Sequence, residues 1–146
     1  MQFVIHVNTV ITNGKGQILL VREKKAGAFN KLNFPGGHLE PGEELIECAK
    51  REAKEEISAE ISVEGLIGVF SSKGKDHYLN FIFKGRIVKG EAEANTDHVK
   101  AIEWRTSAEL EEIPDGEILN PGKFREIIEK YQVGVVTEVA IIKELL

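Results

Sequence analysis

The chain has 146 residues, of which 42% are hydrophobic and 29% charged, and its formal net charge is −5 at pH 7. This length predicts one globular domain over residues 1–146. The acidic balance argues against a nucleic-acid surface, and the short apolar runs argue against a membrane span. The single cysteine excludes an internal disulfide. We therefore expect a cytoplasmic protein.

The first half of the chain indicates a β-hairpin followed by a helix. The segment Phe3–Thr12 is rich in β-branched residues and predicts a strand, and Gln17–Glu23 predicts its return strand after a turn at 13–16. A polar loop at 24–31 precedes the turn Pro35-Gly36-Gly37. Residues 43–57 then have the spacing of a helix.

The second half indicates two further strands, a third short strand and two helices. We predict strands at 59–70 and 77–88 around a turn at 71–76, an acidic loop at 90–98 and a strand at 99–104. Helices are expected at Ser107–Glu112, with Thr106 as N-cap, and at 121–131. The apolar tail at 135–146 has helix-like spacing and is consistent with a homodimer.

The helix at 43–57 carries three carboxylates on one side. Its apolar stripe is formed by Ile46, Ala49, Ala53 and Ile57. At about 100° per residue, Glu52, Glu55 and Glu56 fall beside that stripe, so their oxygens should converge. A hard divalent cation such as Mg²⁺ relieves the repulsion between such carboxylates. The alternative is a solvated acidic face, in which Glu47 pairs with Arg51.

Residues 37–59 resemble the Nudix box, G-x5-E-x7-R-E-U-x-E-E-x-G-U, where U is an apolar residue. The positions in register are Gly37, Glu43, Arg51, Glu52, Ala53, Glu55 and Glu56. Two positions depart from the pattern. Ser58 replaces a glycine that normally forms a left-handed C-cap, and Ala59 is a weak occupant of the last apolar position. The order of the surrounding segments is also similar to that of small Nudix hydrolases, from about residue 3 to residue 130.

The resemblance implies an α/β/α sandwich with a mixed central sheet. It also implies Mg²⁺-dependent hydrolysis of a nucleoside di- or triphosphate, or a related pyrophosphate, with Mn²⁺ as an alternative ion. The metal ligands implied are Glu52, Glu55, Glu56 and the carbonyl oxygen of Gly36. Glu43 and Arg51 are implied to be a structural ion pair, with Glu43 also a candidate ligand.

Several carboxylates are candidates for the catalytic base. Within the box these are Glu52 and Glu55, and outside it Glu103 occupies a place where some relatives that cleave nucleoside triphosphates carry a carboxylate. The acids of the loop at 90–98 are further candidates, with a solvated surface role as the alternative. They are Glu91, Glu93 and Asp97.

Substrate contacts are expected from cations and from the glycine turn. Arg22 ends the second strand and could grip phosphate oxygens, with Lys24 and Lys25 assisting. The alternative for the two lysines is an exposed, solubilising role. The backbone of Gly37 can approach phosphates closely, and the side chains of His38 and Tyr78 are candidates to contact the attached group.

The layout favours a small-molecule nucleotide as substrate. An ADP-ribose or other nucleotide-sugar pyrophosphatase is the alternative within the same family. A non-catalytic nucleotide-binding module and an RNA-end-processing enzyme are alternatives of other classes, the second of which would need a basic stripe along the cleft.

Overall fold

A mixed sheet of eight strands lies at the centre of the computed structural model, which describes residues 1–134 and 137–138. The strands are β1 (Phe3–Thr12), β2 (Gln17–Glu23), β3 (Leu32–Asn33), β4 (Gly36–His38), β5 (Glu60–Lys73), β6 (His77–Lys89), β7 (Val99–Thr106) and β8 (Thr137–Glu138). The helices are α1 (Leu45–Ile57), α2 (Ser107–Glu112) and α3 (Pro121–Val133), with a 3-10 turn at Asp115–Glu117.

The sheet is mixed because β1 and β6 run parallel while the other pairs are antiparallel. The strand order is β3-β2-β1-β6-β5-β8, with β4 also paired to β1 and β7 to β2. The register places His6 of β1 opposite Asn80 of β6, and Asn8 opposite Gly36 of β4. Three distant segments therefore meet along β1.

Alternate residues of the central strands pack against helices on opposite faces of the sheet. Ile18 and Leu20 lie in a core cluster with Leu110 of α2 and Phe124 of α3. Leu19 and Val21 lie in another cluster with Ala53 and Ile57 of α1. Burial on both faces confirms the expected α/β/α sandwich with a mixed sheet.

The ends of several elements differ from the sequence expectations. Helix α1 begins at Leu45 because Glu44 is its N-cap and exchanges capping-box hydrogen bonds with Glu47. Strands β5 and β6 form a longer hairpin than expected, so that the turn begins after Lys73 rather than at residue 71. The short strands β3 and β4 were not predicted.

The predicted helical tail is wrong at two residues. Thr137 and Glu138 form a strand that pairs with Leu66 and Gly65 of β5. The rest of that prediction lies outside the described residues. Among the described residues, no helix combines the length and apolar character that crossing a bilayer requires.

Candidate functional site

The turn at Gly36 and Gly37 lies directly against α1. A Cβ atom on Gly36 would overlap the carbonyl oxygen of Val7, and one on Gly37 would overlap the carboxylate of Glu52. The backbone N–H of Gly36 donates a hydrogen bond of 2.7 Å to Oε1 of Glu56. Glycine is therefore required at position 36, where backbone meets backbone, and at position 37 a larger residue would displace the carboxylate of Glu52.

Glu56 is a buried acid in a setting that disfavours its charge. Its exposed fraction is 4%, and that of nearby Glu23 is 6%. Burial, together with the negative charges of Glu23 and Glu52, raises the pKa of the Glu56 carboxyl to about 9, although the hydrogen bond from Gly36 opposes the rise. Burial also raises the pKa of Glu52. Buried acids with raised pKa values indicate a cation-binding site.

Arg51 connects the box helix to the turn. Its guanidinium donates to both carboxylate oxygens of Glu43, at 2.6 and 3.0 Å, and to the carbonyl oxygen of His38 at 3.0 Å. It also donates to Glu52 at 3.0 Å and to Glu55 at 3.2 Å. The expected ion pair between Glu43 and Arg51 is thus present. The hydrogen bond from Arg51 to His38 fixes the end of β4 relative to α1.

The three box carboxylates do not form a ready-made metal cage. Glu52 and Glu55 bond to Arg51, whereas Glu56 bonds to Gly36. Within residues 1–134 and 137–138, no three His, Cys, Asp or Glu side chains are placed to hold a metal ion. Glu52 and Glu55 both accept from Nη1 of Arg51, whereas Glu56 accepts from Gly36, so the convergence of all three on one ion stays a prediction.

The donor chemistry nevertheless fits a hard divalent cation. Glu52 and Glu56 supply carboxylate oxygens behind the glycine turn, and Glu23 supplies one from the cavity. Repulsion from Glu23 and Glu52 adds to the burial that raises the pKa of Glu56. Carboxylate and backbone carbonyl oxygens are the ligands that Mg²⁺ and Mn²⁺ prefer. A cation beside these groups would remove the penalty of burying their charge.

A cavity of about 680 Å³ opens in front of the turn. Of the residues predicted to contact metal or substrate, it is lined by Gly36, Gly37, His38 and Tyr78. Lys25, which was expected to assist with phosphate contacts, lines it as well, and so does Glu23, which was not expected to be a site residue. Since Glu52 lies against Gly37 and Glu56 against Gly36, the carboxylates are one backbone layer behind the cavity.

Polar side chains form a connected network deeper in the cavity. Nζ of Lys123 donates to Oδ1 of Asn80 at 2.6 Å, and Nδ2 of Asn80 donates to Oδ1 of Asn8 at 2.9 Å. Nδ2 of Asn8 in turn donates to the carbonyl oxygen of Phe34 at 2.9 Å. The network therefore runs from α3 to the segment that leads into the glycine turn.

Three rings surround the same part of the cavity. The His6 ring makes edge-to-face contacts with His38 at 4.3 Å and Tyr78 at 5.6 Å between centroids. Burial, then the positive charges of His38 and Lys123, lower the pKa of His6 to about 4, so its imidazole is neutral at pH 7. Its buried Nε2 atom has no hydrogen-bond partner among the described residues.

Arg22 and Lys24 are not in the cavity, contrary to expectation. Arg22 pairs with Glu103 and with Glu117, and Lys24 donates to the carbonyl oxygen of Thr96. Strand alternation explains this placement. Arg22 is on the same face of β2 as Ile18 and Leu20, which pack towards α2 and α3, whereas Glu23 is on the face that packs against α1. Of the two lysines expected to assist, Lys25 lines the cavity and Lys24 does not.

Glu103 is placed as an ion-pair partner rather than as a base in the cavity. It accepts hydrogen bonds from both Arg22 and Arg105. Burial alone would raise the pKa of Glu103, but the two arginines lower it below its usual value. The loop acids Glu91, Glu93 and Asp97 are exposed, in agreement with the solvated alternative.

Sequence reasoning missed the deeper polar residues of the cavity. These are Asn8, Glu23, Asn80 and Lys123. For Glu23 a signal was available, since the alternation of β2 places it on the side of Leu19 and Val21. For Asn80 and Lys123 the sequence signal was weak, because their hydrogen-bond partners are distant in the chain. Asn80 bonds to Asn8, 72 residues away, and Lys123 bonds to Asn80, 43 residues away.

Comparisons with known proteins agree with this arrangement. The model of the NUDIX domain family matches residues 2–125. An ADP-ribose pyrophosphatase of Methanocaldococcus jannaschii is 34% identical over 88 residues, covering 58% of this chain and 52% of that protein. A putative 8-oxo-dGTP diphosphatase of Bacillus subtilis is 31% identical, covering 69% of this chain and 65% of that protein. The matches thus span less than two thirds of either relative.

Similarity to a solved structure extends over almost the whole fold. A NUDIX hydrolase from Nitrosomonas europaea superimposes with a TM-score of 0.86 at 28% sequence identity. The match covers 99% of this chain and 98% of that one. The sheet order and the placement of the helices are therefore those of a known architecture.

Proposed function

The chain belongs to the NUDIX domain family, and on that premise we propose that it is a divalent-cation-dependent pyrophosphohydrolase. It hydrolyses a nucleoside di- or triphosphate, or a related pyrophosphate, by attack of water on phosphorus. The observation that carries this proposal is the buried Glu56 carboxylate, which is held by the N–H of Gly36 beside Glu23 and Glu52. The same glycine turn lines a cavity large enough for a nucleotide.

The proposed ligands for Mg²⁺ or Mn²⁺ are Glu52 and Glu56, with Glu23 and the carbonyl oxygen of Gly36 as additional donors. Glu55 is proposed to assist from the more exposed side of α1. When bound, the ion neutralises phosphate charge and activates water for attack. Arg51 holds Glu52 and Glu55 in place until then, through hydrogen bonds of 3.0 and 3.2 Å.

Glu52 is the proposed catalytic base. Its carboxyl lies against Gly37, which lines the cavity, and burial raises its pKa above the usual value. Glu55 is the second candidate, since it shares Arg51 with Glu52. Glu103 is not proposed, because two arginines occupy its carboxylate and lower its pKa against the effect of burial.

Lys25 is the proposed phosphate-binding cation. It lines the cavity, and its positive charge opposes the rise in pKa that burial causes at both Glu52 and Glu56. Phosphates bound between the ion and Lys25 would have their charge matched from two sides. His38 and Tyr78 are proposed to contact the group attached to the phosphates.

A panel of substrates tests the proposal. The purified protein is assayed with Mg²⁺ or Mn²⁺ against nucleoside diphosphates, nucleoside triphosphates and ADP-ribose, and ¹⁸O-labelled water locates the phosphorus that is attacked. We expect turnover that requires the ion. Absence of ion-dependent turnover for every pyrophosphate would overturn the proposal, and turnover of ADP-ribose alone would establish the alternative substrate.

Substitution of Glu56 tests the assignment of the ligands. Glu56→Gln is expected to lower kcat/KM by about 10²-fold or more while the protein stays folded, because the amide removes one anionic ligand. Glu111→Gln is the matched control, since Glu111 is exposed on α2 and outside the cavity lining. Unchanged activity of Glu56→Gln would remove Glu56 from the ligand set.

A further inference from the structure

Lys123 is a cation without an anionic partner in the cavity. It lies in the first turn of α3, it lines the cavity, and burial lowers its pKa. None of the ion pairs formed by the described residues includes it. An ammonium group has three donors, and Asn80 accepts from one of them. The remaining donors point to an acceptor that a ligand supplies, since burial of an unmatched charge is unfavourable.

Asn80 is fixed in one orientation by its neighbours. Its Nδ2 atom donates to the carbonyl oxygen of His6 at 3.3 Å and to Oδ1 of Asn8 at 2.9 Å. Its Oδ1 atom therefore faces Lys123, and the amide is held by Asn8, His6 and Lys123 together. Lys123 is thus positioned by a rigid, buried amide rather than by a flexible surface group.

The surroundings of Lys123 favour the binding of a ligand with a planar ring. His6 lies within electrostatic range of Lys123, and its ring contacts those of His38 and Tyr78, which also line the cavity. Lys25 also acts on His6, but it acts on Glu52 and Glu56 as well, where it opposes the rise in pKa that burial causes. Lys123 is distinguished by its hydrogen bond to Asn80, whose own amide donates to the carbonyl oxygen of His6. Of the two cavity lysines, Lys25 is therefore the one that acts on the box carboxylates, and Lys123 is the one that is fixed beside the ring of His6.

We propose that Lys123 determines specificity by binding the keto oxygen of a nucleobase, so that the site selects 6-oxopurine nucleotides over 6-aminopurine nucleotides. An ammonium group only donates hydrogen bonds, and the edge of a 6-oxopurine presents two acceptors, O6 and N7. The corresponding edge of adenine presents an amino group, whose donors would face those of Lys123. This inference rests on the proposed function for the reaction, but the selectivity is a property of binding alone.

A pair of ligands that differ at one position tests the inference. Inosine and adenosine 5′-monophosphate differ at C6, where the first has a keto oxygen and the second an amino group. Their affinities are measured by titration calorimetry with EDTA present, so that neither hydrolysis nor a metal ion contributes. We expect inosine monophosphate to bind about 10-fold or more tightly than adenosine monophosphate.

Substitution of the lysine should remove this preference. In Lys123→Met the ratio of the two affinities is expected to fall to within about threefold of unity, because the apolar chain keeps most of the volume and loses the donor. Lys130→Met is the matched control, since Lys130 is on the same helix and outside the cavity lining. It should keep the full ratio. Thermal unfolding of both variants shows whether each remains folded.

The outcomes separate this inference from the proposed function. Equal affinities in the unsubstituted protein, or no binding of either nucleotide, would overturn the inference even if the protein hydrolyses pyrophosphates. An equal loss of both affinities in Lys123→Met would also overturn it, because Lys123 would then bind phosphate. A preference for the keto base in a protein without hydrolytic activity would overturn the proposed function and leave the inference standing.

Discussion

Arg51 is a single side chain on which much of the site geometry depends. It donates to Glu43, Glu52 and Glu55 and to the carbonyl oxygen of His38. Planar guanidinium groups suit such multiple contacts, which a lysine could not reproduce. Its partners also differ in burial, since the side chain of Glu55 is 37% exposed and that of Glu43 13%. Glu52 is as buried as Glu43, but only Glu43 accepts through both oxygens from two nitrogens of Arg51, so the contact with Glu43 contributes most to stability.

Glu43→Gln should destabilise the fold in a manner that depends on pH. The hydrogen bond from Arg51 lowers the pKa of Glu43 from 4.5 to about 2. A depressed carboxyl pKa stabilises the fold above pH 4.5, and this stabilisation is lost as the pH falls through 4.5 towards 2. We expect the variant to lose about 1–2 kcal/mol in free energy of unfolding at pH 7, and less at pH 3.

Urea unfolding at the two pH values measures this difference. Glu129→Gln is the control, because Glu129 is exposed on α3, and it should remain within about 0.5 kcal/mol of the unsubstituted protein. The same loss for Glu43→Gln at pH 7 and pH 3 would show that the charge of Glu43 is not responsible.

At the scale of single elements, the end of α1 has a serine where the box pattern has glycine, but it keeps the backbone conformation that the glycine would adopt. Ser58 has φ 58° and ψ 26°, the left-handed conformation, and its N–H donates to the carbonyl oxygen of Lys54. The structure thus keeps the conformation for which glycine is normally used, although a side chain is present. Ser58 is exposed, so its side chain has room in solvent.

Ser58→Gly should stabilise the protein. Removal of the side chain from a left-handed position relieves backbone strain, and we expect a gain of about 0.5–1 kcal/mol in free energy of unfolding. Gly134→Ala provides the opposite test at the C-cap of α3, where φ is 79°, and should lose a similar amount. Denaturant unfolding compares the three proteins. A loss of stability in Ser58→Gly would mean that greater freedom of the unfolded chain outweighs the strain.

Element boundaries with a local signal were predictable from the sequence. The strands Phe3–Thr12 and Gln17–Glu23 and the helix Ser107–Glu112 agree with the structure at both ends, because turn residues or a capping threonine mark them. Strands β3 and β4 were not predictable in this way. They have two and three residues, too few for a periodic pattern, and their pairing with β2 and β1 defines them.

At the scale of the whole molecule, the site depends on pairings that no local pattern encodes. The parallel pairing of β1 with β6 brings Asn8 and Asn80 together, and the packing of α3 adds Lys123. The box glutamates were found because they lie within one helix, where spacing alone predicts a shared side. Their closure around one ion stays a prediction, and helical spacing did not reveal that Arg51 binds two of them.

Binding of a divalent ion should stabilise the entire fold, and more strongly at high pH. Burial, with the charges of Glu23 and Glu52, raises the pKa of Glu56 from 4.5 to about 9. The folded protein therefore holds a proton that the unfolded chain releases, and the ion-free fold loses stability as the pH rises from 4.5 to 9. An ion that binds the carboxylate form reverses this loss, because its ligands must be deprotonated.

We expect Mg²⁺ at about 100 times its Kd to raise Tm by about 5–10 °C at pH 8, and the same concentration to raise it less at pH 6. Glu56→Gln should raise Tm of the ion-free protein at pH 8, because a neutral amide needs no proton uptake on folding, and should lose most of the response to Mg²⁺. Glu111→Gln should keep both the Tm and the response. Thermal unfolding with EDTA and with Mg²⁺ measures these differences. An equal Mg²⁺ response in Glu56→Gln and in the unsubstituted protein would place the ion elsewhere and remove the link between the burial of Glu56 and metal binding.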